Sequence, residues 1–221
     1  MTFDNCITPE GVSPLVEQKP YTHPNRKLVQ GVGTNDFPAP VVVNGKIIKS
    51  YNVWTCMLAR CYSERCLKKR PTYVGCSVSK EWLLFSAFEK WFSENYIEGC
   101  QLDKDLLIAG NLVYSAETCV FVTSALNTLL SDHGAARGNC PLGVSFRKDS
   151  RKYSAHVNIG TEPHYLGLFT TAIDAHRAYQ LAKAKVIEDF PVNNPRIRKA
   201  LDLRVAQLRD DHANGRITLK L

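Results

Sequence analysis

The chain has 221 residues, 44% of them hydrophobic, and its 28 Lys and Arg against 21 Asp and Glu give a net charge of +7. This composition is typical of a soluble protein with two modest domains, or one domain with arms. No apolar run reaches the roughly 18 residues that a membrane helix needs, and the start MTFDNCITPEG lacks the basic and apolar regions of a signal peptide. We therefore expect a cytoplasmic protein without a membrane partner. Its eight cysteines are expected to be reduced thiols.

The positive charge is concentrated in the carboxyl-terminal part of the chain. Residues 1–136 hold 13 Lys and Arg and 13 Asp and Glu, whereas residues 137–221 hold 15 and 8 and therefore carry the whole net charge of +7. Such a distribution is the electrostatic footprint expected of a polyanion-binding domain. A basic domain with no such partner is the plain alternative.

The first hundred residues are predicted to begin with an irregular arm over 1–30. Two β-branched runs around Asn44-Gly45 predict a short hairpin. Apolar spacing predicts a helix over about 51–62, a short strand over 73–78, and a second, aromatic-rich amphipathic helix marked by Trp82, Phe85, Phe88 and Phe92.

Residues 102–130 follow a different pattern, which predicts a strand, a turn at Gly110-Asn111, a second strand and a helix from about Ser124. Acidic residues open this ββα unit. Upstream, Cys56, Cys61, Cys66 and Cys76 fall within 21 residues. Cys56, Cys61 and Cys66 follow one another at steps of five positions and the first pair falls on the predicted helix, so the cysteines are expected to act as small hydrophobes and zinc is disfavoured.

Residues 142–190 predict three antiparallel strands packed on one helix. In the second run Tyr153, Ala155, Val157 and Ile159 alternate with Lys152, Ser154, His156 and Asn158, and turn residues occupy 149–150 and 160–163. In the first run Val144 and Phe146 oppose Ser145 and Arg147, and in the third Leu166 and Leu168 oppose Tyr165 and Gly167. From Thr170/Thr171 the helix stripe is Ala172, Ala175, Tyr179, Ala182 and Val186. The sheet face opposite the helix is polar, basic and partly aromatic, which indicates a surface for nucleic acid.

The remaining segment, 191–221, predicts a helix over 196–213 with Ile197, Leu201, Val205 and Leu208 facing inward, ended by Asn214-Gly215. Arg198, Lys199 and Arg204 on it are either phosphate contacts or a solvated basic face.

The 142–190 segment closely resembles the Apetala-type (ethylene-response-factor) DNA-binding domain. The matching residues are Gly143-Val144, Arg147, Tyr153, Ala155, Tyr165-Leu166-Gly167, Phe169, Thr171, Ala175 and Ala178-Tyr179. The resemblance implies a sheet that lies in the major groove, with double-stranded DNA as partner. The candidate DNA-binding residues are Ser145, Arg147, Arg151, Lys152, Ser154, His156, Asn158 and Tyr165. Several arginines of the plant pattern are Ser, His or Asn here, so the resemblance implies the fold and not the base preference.

The window 54–127 resembles an HNH-like nuclease family that is abundant in bacteriophages and mobile elements. The matching residues are Trp54, Met57, Arg60-Cys61-Tyr62, Tyr73, Gly75, Val78, Trp82, Phe85, Phe88, Leu102-Asp103-Lys104, Tyr114-Ser115, Cys119 and Asn127. Some phage members carry an Apetala-type module after the nuclease-like one. The resemblance thus implies an α+β chain: an HNH-like ββα module with flanking helices (31–136), then a three-stranded antiparallel sheet packed on one helix (137–190).

Carried over by motif, the nuclease roles fall on residues that match only in part. Asp103 and Asn127 take the metal-ligand positions, for which Mg²⁺ is the expected ion. The general-base position falls on Lys104 and the supporting Asn position on Thr118. A lysine of ordinary pKa is protonated at pH 7 and cannot accept a proton. Asp105, on the same strand face as Asp103, and His133, beyond the helix, are the alternative bases. A solvated Asp pair and a surface histidine are the plain alternatives.

Three functions stay open from the sequence. The first is a DNA-binding protein with Mg²⁺-dependent, homing-type nuclease activity, and the second is a DNA-binding regulator that does not cut. The third is a phage inhibitor that binds a host protein, in the host cytoplasm.

Overall fold

The computed structural model describes residues 27–130 and 139–220. Most of the predicted arm (1–30) and His133 lie outside these residues. The described part is a mixed α+β structure with six α-helices and four small sheets, one of which is three-stranded and antiparallel. The fold class predicted from the sequence is confirmed at that level.

The helices are α1 (Lys49–Tyr62), α2 (Glu64–Lys69), α3 (Phe85–Asn95), α4 (Ser124–Leu129), α5 (Ala172–Glu188) and α6 (Pro195–Ala213). Short 3₁₀ turns cover Pro71–Tyr73 and Glu81–Leu83. The strands are β1 (Val42–Val43), β2 (Lys46–Ile47), β3 (Ser77–Val78), β4 (Gln101–Asp103), β5 (Val113–Tyr114), β6 (Val120–Val122), β7 (Val144–Arg147), β8 (Lys152–Ile159) and β9 (Glu162–Phe169).

The amino-terminal part is held together by an aromatic core between α1 and α3. Trp54, Phe85 and Phe88 are fully buried, and the rings of Trp54 and Phe85 lie 5.3 Å apart. The indole N–H of Trp54 donates to the Trp82 carbonyl at 2.7 Å, so its polar atom is satisfied inside the core. The predicted β1–β2 hairpin is confirmed, since β1 pairs antiparallel with β2 and Asn44 and Gly45 both have positive φ.

The ββα unit is present, but its strands pair differently from the prediction. β4 pairs antiparallel with β6, whereas β5 leaves this hairpin and pairs in parallel with β3. The predicted hairpin around Gly110-Asn111 is therefore wrong. Asn111 explains the difference, because its amide N–H groups donate to the carbonyls of Lys104 and Val113 and hold a wide loop rather than a tight turn.

A second core joins segments that the sequence assigned to different modules. It combines Val122 and Leu126 of the ββα unit with Ile187 of α5 and with Leu201 and Leu208 of α6. The four residues predicted to face inward on the last helix are all buried. Because α6 packs on both α5 and the ββα unit, the predicted carboxyl-terminal extension is part of the core.

The three-stranded sheet has the order β7-β8-β9 and is backed by α5. Thr171 caps this helix, with its hydroxyl accepting from the Asp174 N–H. Gly143 lies directly on the ring of Tyr179: a Cβ there would come within 1.9 Å of that ring, and Gly143 has φ +72. The β8–β9 turn is shorter than predicted, since Glu162 and Pro163 already belong to β9 and only Gly160-Thr161 connect the strands. Pro163 is tolerated because β9 is an edge strand.

Helix α5 carries a buried polar stripe that the apolar pattern missed. Ala175 and Tyr179 are buried as predicted, but so are His176, Gln180 and Lys183. The chain after α6 returns over this stripe: the Thr218 N–H donates to Nε2 of His176 at 3.0 Å, and Gln180 donates to the Thr218 hydroxyl at 3.1 Å.

Candidate nucleic-acid interface and candidate metal site

The register of the sheet brings the predicted DNA-binding residues onto one face. Ser145 pairs with Ser154, Arg147 with Lys152, and His156 with Tyr165. Directly opposed residues in an antiparallel sheet share a face. The polar face predicted from alternation is therefore present, on the side of the sheet that α5 does not cover. We call this surface the open sheet face.

Strand β9 contains a β-bulge that changes what the open sheet face presents. The pairing slips between Ala155 and His156, so that Leu166 has no partner on β8 and packs inward against the α5 core. Leu168 consequently pairs with Ser154 and is 40% exposed. The prediction that Leu166 and Leu168 share a face is wrong. Gly167 marks the bulge in the sequence, because its φ of +136 is accessible mainly to glycine.

The basic end of the open sheet face is the β7–β8 turn. Arg147, Arg151 and Lys152 are all exposed there. The guanidinium of Arg147 donates to both carboxylate oxygens of Asp149 at 3.4 Å, and this contact lowers the pKa of Asp149. Both side chains are more than half exposed, so the pair is weak and can open toward a phosphate.

The middle of the open sheet face offers hydrogen-bonding and aromatic groups. The rings of His156 and Tyr165 lie 5.4 Å apart, and Tyr165 is 61% exposed. Asn158 is exposed on the same face. Ser154 is predicted to contact DNA, but it is only 2% exposed. Its hydroxyl shares a hydrogen bond of 2.9 Å with the hydroxyl of Ser145 and so holds Ser145 in place.

Asp103 and Asn127, the predicted metal ligands, line one small cavity of about 170 Å³ between β4, α4 and α6. Asp103 ends β4, and its Oδ1 accepts the backbone N–H groups of Asp105 and Leu106 at 2.8 and 2.7 Å. Burial raises the pKa of Asp103, although these two hydrogen bonds oppose the shift.

Two basic side chains that the sequence did not place there line the same cavity, Arg204 from α6 and Lys220 from the final segment. Arg204 is 6% exposed and donates to the Asp105 carbonyl. It therefore faces the Asp103 region, and the alternative that it belongs to a solvated basic face is wrong. Arg198 is also held by protein groups, because it pairs with Asp202 and donates to the carbonyls of Ile187 and Glu188 at the end of α5. Lys199 is exposed.

Lys104, at the predicted base position, is not among the residues that line this cavity. Its Nζ donates to Asp105 at 2.7 Å and to the Asn111 carbonyl at 2.8 Å, and it lies over the ring of Tyr114. Burial opposes its charge, but the contacts with Asp105 prevail and the pKa of Lys104 lies above its ordinary value. Lys104 is thus a protonated structural cation.

Asp105, the alternative base within the described residues, and Thr118, at the supporting Asn position, also have structural partners. β4 ends at Asp103, so strand alternation does not extend to Asp105, although both residues line the same cavity. The carboxylate of Asp105 accepts from Lys104. The Thr118 hydroxyl donates to the Val113 carbonyl at 2.6 Å and accepts from the Ser115 N–H, which closes the β5–β6 loop.

Metal-ligand clusters of three or more His, Cys, Asp or Glu do not occur in residues 27–130 and 139–220. The cysteines of these ranges are free thiols. Burial raises the pKa of Cys61 and of Cys119 to about 12. The oxygen ligands for a hard cation in the cavity would be Asp103 and the amide of Asn127.

Comparison of the chain with family models, with curated proteins and with solved structures finds no match. Helices long and apolar enough to cross a membrane are not found in the described part of the chain.

Proposed function

We propose that the protein binds double-stranded DNA through the open sheet face. The observation that carries this proposal is the cross-strand register, which gathers Arg147, Lys152, His156, Asn158 and Tyr165 on a face that α5 leaves uncovered. A two- or three-stranded β-ribbon fits the major groove. The resemblance to the Apetala-type domain supports the same orientation.

The chemistry of the open sheet face divides it into two parts. Arg147, Arg151 and Lys152 at the β7–β8 turn suit phosphates. His156, Asn158 and Tyr165 lie further along the sheet, where Asn is suited to adenine and the exposed ring of Tyr165 to apolar contact with a thymine methyl. Arg147 is the last residue of β7, beside this turn, and is suited to either a phosphate or a guanine.

Arg147→Ala tests this assignment. If Arg147 reads a base, the variant loses about 1–3 kcal/mol of binding free energy on the preferred duplex and tolerates substitution at one base pair. Equal weakening on every duplex would make it a phosphate contact. Arg177→Ala, an exposed arginine on α5, is the matched control, and an affinity of Arg147→Ala equal to that of this control would contradict the proposal.

A Mg²⁺-dependent, HNH-like endonuclease is the second candidate, favoured because Asp103 and Asn127 line one cavity on a ββα unit. Mg²⁺ held there would stabilise charge on the scissile phosphate and the leaving oxygen. Arg204 in the same cavity is suited to a phosphate oxygen. Lys104 and Thr118 are committed to structural contacts, so neither a general base at Lys104 nor a residue that supports it at Thr118 is favoured.

Plasmid nicking with Mg²⁺ or Mn²⁺ separates a nuclease from a binding-only regulator. Asp103→Asn is the sharper variant, because an amide oxygen still accepts the N–H groups of Asp105 and Leu106 while the ligand charge is lost. Nicking by the wild type that disappears in Asp103→Asn identifies an enzyme. Intact plasmid with either metal at high concentration of a protein that does bind duplex leaves the DNA-binding regulator.

A phage inhibitor that binds a host protein remains the alternative from another class. It predicts weak DNA affinity that changes little with salt.

A further inference from the structure

A second basic surface lies in the amino-terminal part of the chain. It is an open groove of about 490 Å³ between α1 and α2. Its lining includes Cys56, Arg60, Arg65, Cys66, Lys69 and Arg70. We call it the α1–α2 groove. It shares no residue with the open sheet face or with the Asp103 cavity.

The charge of this groove is local and one-sided. Residues 60–70 contain five cations and a single carboxylate, Glu64, whereas the other residues of 1–136 hold eight Lys and Arg and twelve Asp and Glu. Among the described residues Glu64 pairs only with Lys68, at 3.9 Å and with both side chains over 80% exposed. In the described part of the chain the ion pairs leave Arg65, Lys69 and Arg70 without a carboxylate partner.

Helix stability does not account for this arrangement. Cations in the last turn of a helix favour its dipole, which suits Lys68 and Lys69. Arg65 lies in the first turn of α2, where positive charge is unfavourable. Arg60 is half-buried, with its guanidinium 5.7 Å from the centre of the Tyr73 ring, so it is held in place beside the groove.

We propose that the α1–α2 groove is a second nucleic-acid contact, which binds phosphates of the backbone without reading bases. Exposed cations along an open groove are the features of sequence-independent phosphate binding. The groove supplies cations and few hydrogen-bond acceptors, which suits phosphates better than base edges. The protein then has a two-part DNA footprint, in which the sheet selects the sequence and the groove adds affinity.

The first test is the salt dependence of binding to a random duplex. Each lost phosphate contact reduces the slope of log affinity against log salt by about 0.9. Arg65→Ala/Lys69→Ala/Arg70→Ala should therefore reduce the slope by about 2 to 3. The matched control is Lys46→Ala/Lys80→Ala/Lys90→Ala, which removes three exposed lysines of the same module outside the groove. Circular dichroism of both variants verifies that they are folded.

The second test uses the wild type and its own thiols. Cys56 is exposed and Cys66 half-buried in the groove, whereas Cys100 is half-buried outside it. Saturating duplex should slow alkylation of Cys56 and Cys66 several-fold, measured by mass spectrometry, and leave Cys100 unchanged.

The outcomes separate this inference from the proposed function. A reduced slope in the groove variant together with protected groove thiols supports the inference, even if Arg147→Ala binds like the wild type and the sheet assignment fails. A slope equal to that of the control triple, with Cys56 and Cys66 labelled at the free rate, overturns it. Protection by polyglutamate and not by duplex would indicate an acidic protein partner and also overturn it.

Discussion

Lys183 is a buried cation where α5 meets the ββα unit. It is 4% exposed, and its ammonium donates to the carbonyl of Leu129 at the end of α4. Burial lowers the pKa of Lys183 from 10.5 to about 8. The hydrogen bond ties the two modules together, whereas the charge on the lysine opposes folding.

Lys183→Met should change how stability depends on pH. Below pH 8 the lysine is charged in both states, and its burial destabilises the folded protein in full. Between about pH 8 and 10.5 the unfolded chain keeps the proton that the folded chain has released, so the free energy of unfolding rises with pH. From pH 7 to pH 10 the free energy of unfolding of the wild type should therefore rise, relative to that of the variant, by on the order of 2–3 kcal/mol. Urea unfolding at four pH values measures it, and a constant difference would contradict the pKa assignment.

Gly143 and Gly160 make a matched pair for backbone and packing effects. Both have positive φ, but a Cβ at Gly143 would overlap the Tyr179 ring, whereas one at Gly160 meets nothing within 4 Å. Gly160→Ala should cost about 1–2 kcal/mol from the left-handed conformation alone. Gly143→Ala should cost about 1–3 kcal/mol more from overpacking. Thermal unfolding compares them, and equal losses would mean that Tyr179 moves aside freely.

At the scale of elements, the periodic patterns predict where the helices and strands lie better than they predict which strands pair. The sequence predicts α5 and α6 to within a few residues, because their apolar residues recur at helical spacing, Thr170/Thr171 mark the start of α5 and Asn214-Gly215 mark the end of α6. The β4–β6 pairing was missed because Asn111 holds the loop through hydrogen bonds to backbone that no local pattern reveals. The inward turn of Leu166 was missed because a bulge breaks the period of two that alternation assumes.

The Asp103 cavity shows that contacts between side chains far apart in the sequence are also hidden from local patterns. The resemblance to the HNH-like family assigns Asp103 and Asn127 to one metal site, and both line the cavity. Arg204 reaches Asp105 across 99 residues of chain, and nothing local to either residue marks that contact. The partners of Lys104 were likewise hidden, since they depend on where β4 ends.

The last segment of the chain is fixed by side-chain hydrogen bonds rather than by regular structure. The Thr218 hydroxyl donates to Asp211 at 2.8 Å and accepts from Gln180. Thr218→Val keeps the shape but leaves both buried groups without this partner, and should cost about 1–3 kcal/mol of unfolding free energy. Thr72→Val, at an exposed threonine, is the control. Loss no greater than in that control would mean that the segment contributes nothing to the core.

At the scale of the whole molecule, one core joins the ββα unit, α5 and α6. The modules recognised separately in the sequence are therefore packed together. The open sheet face and the α1–α2 groove lie on different modules, with the Asp103 cavity lined by both the ββα unit and α6. The central claim is that the excess positive charge of residues 137–221 contributes to the binding of duplex DNA.

The most direct test is the affinity of the wild type for a random duplex across a range of salt concentrations, compared with Arg147→Ala/Arg151→Ala/Lys152→Ala. If the β7–β8 turn neutralises three phosphates, this variant should reduce the slope of log affinity against log salt by about 2 to 3. The wild type itself should lose affinity steeply between 50 and 200 mM salt, as phosphate binders do. Weak binding that is unchanged by salt, and equal in wild type and variant, would contradict the account and favour a protein partner.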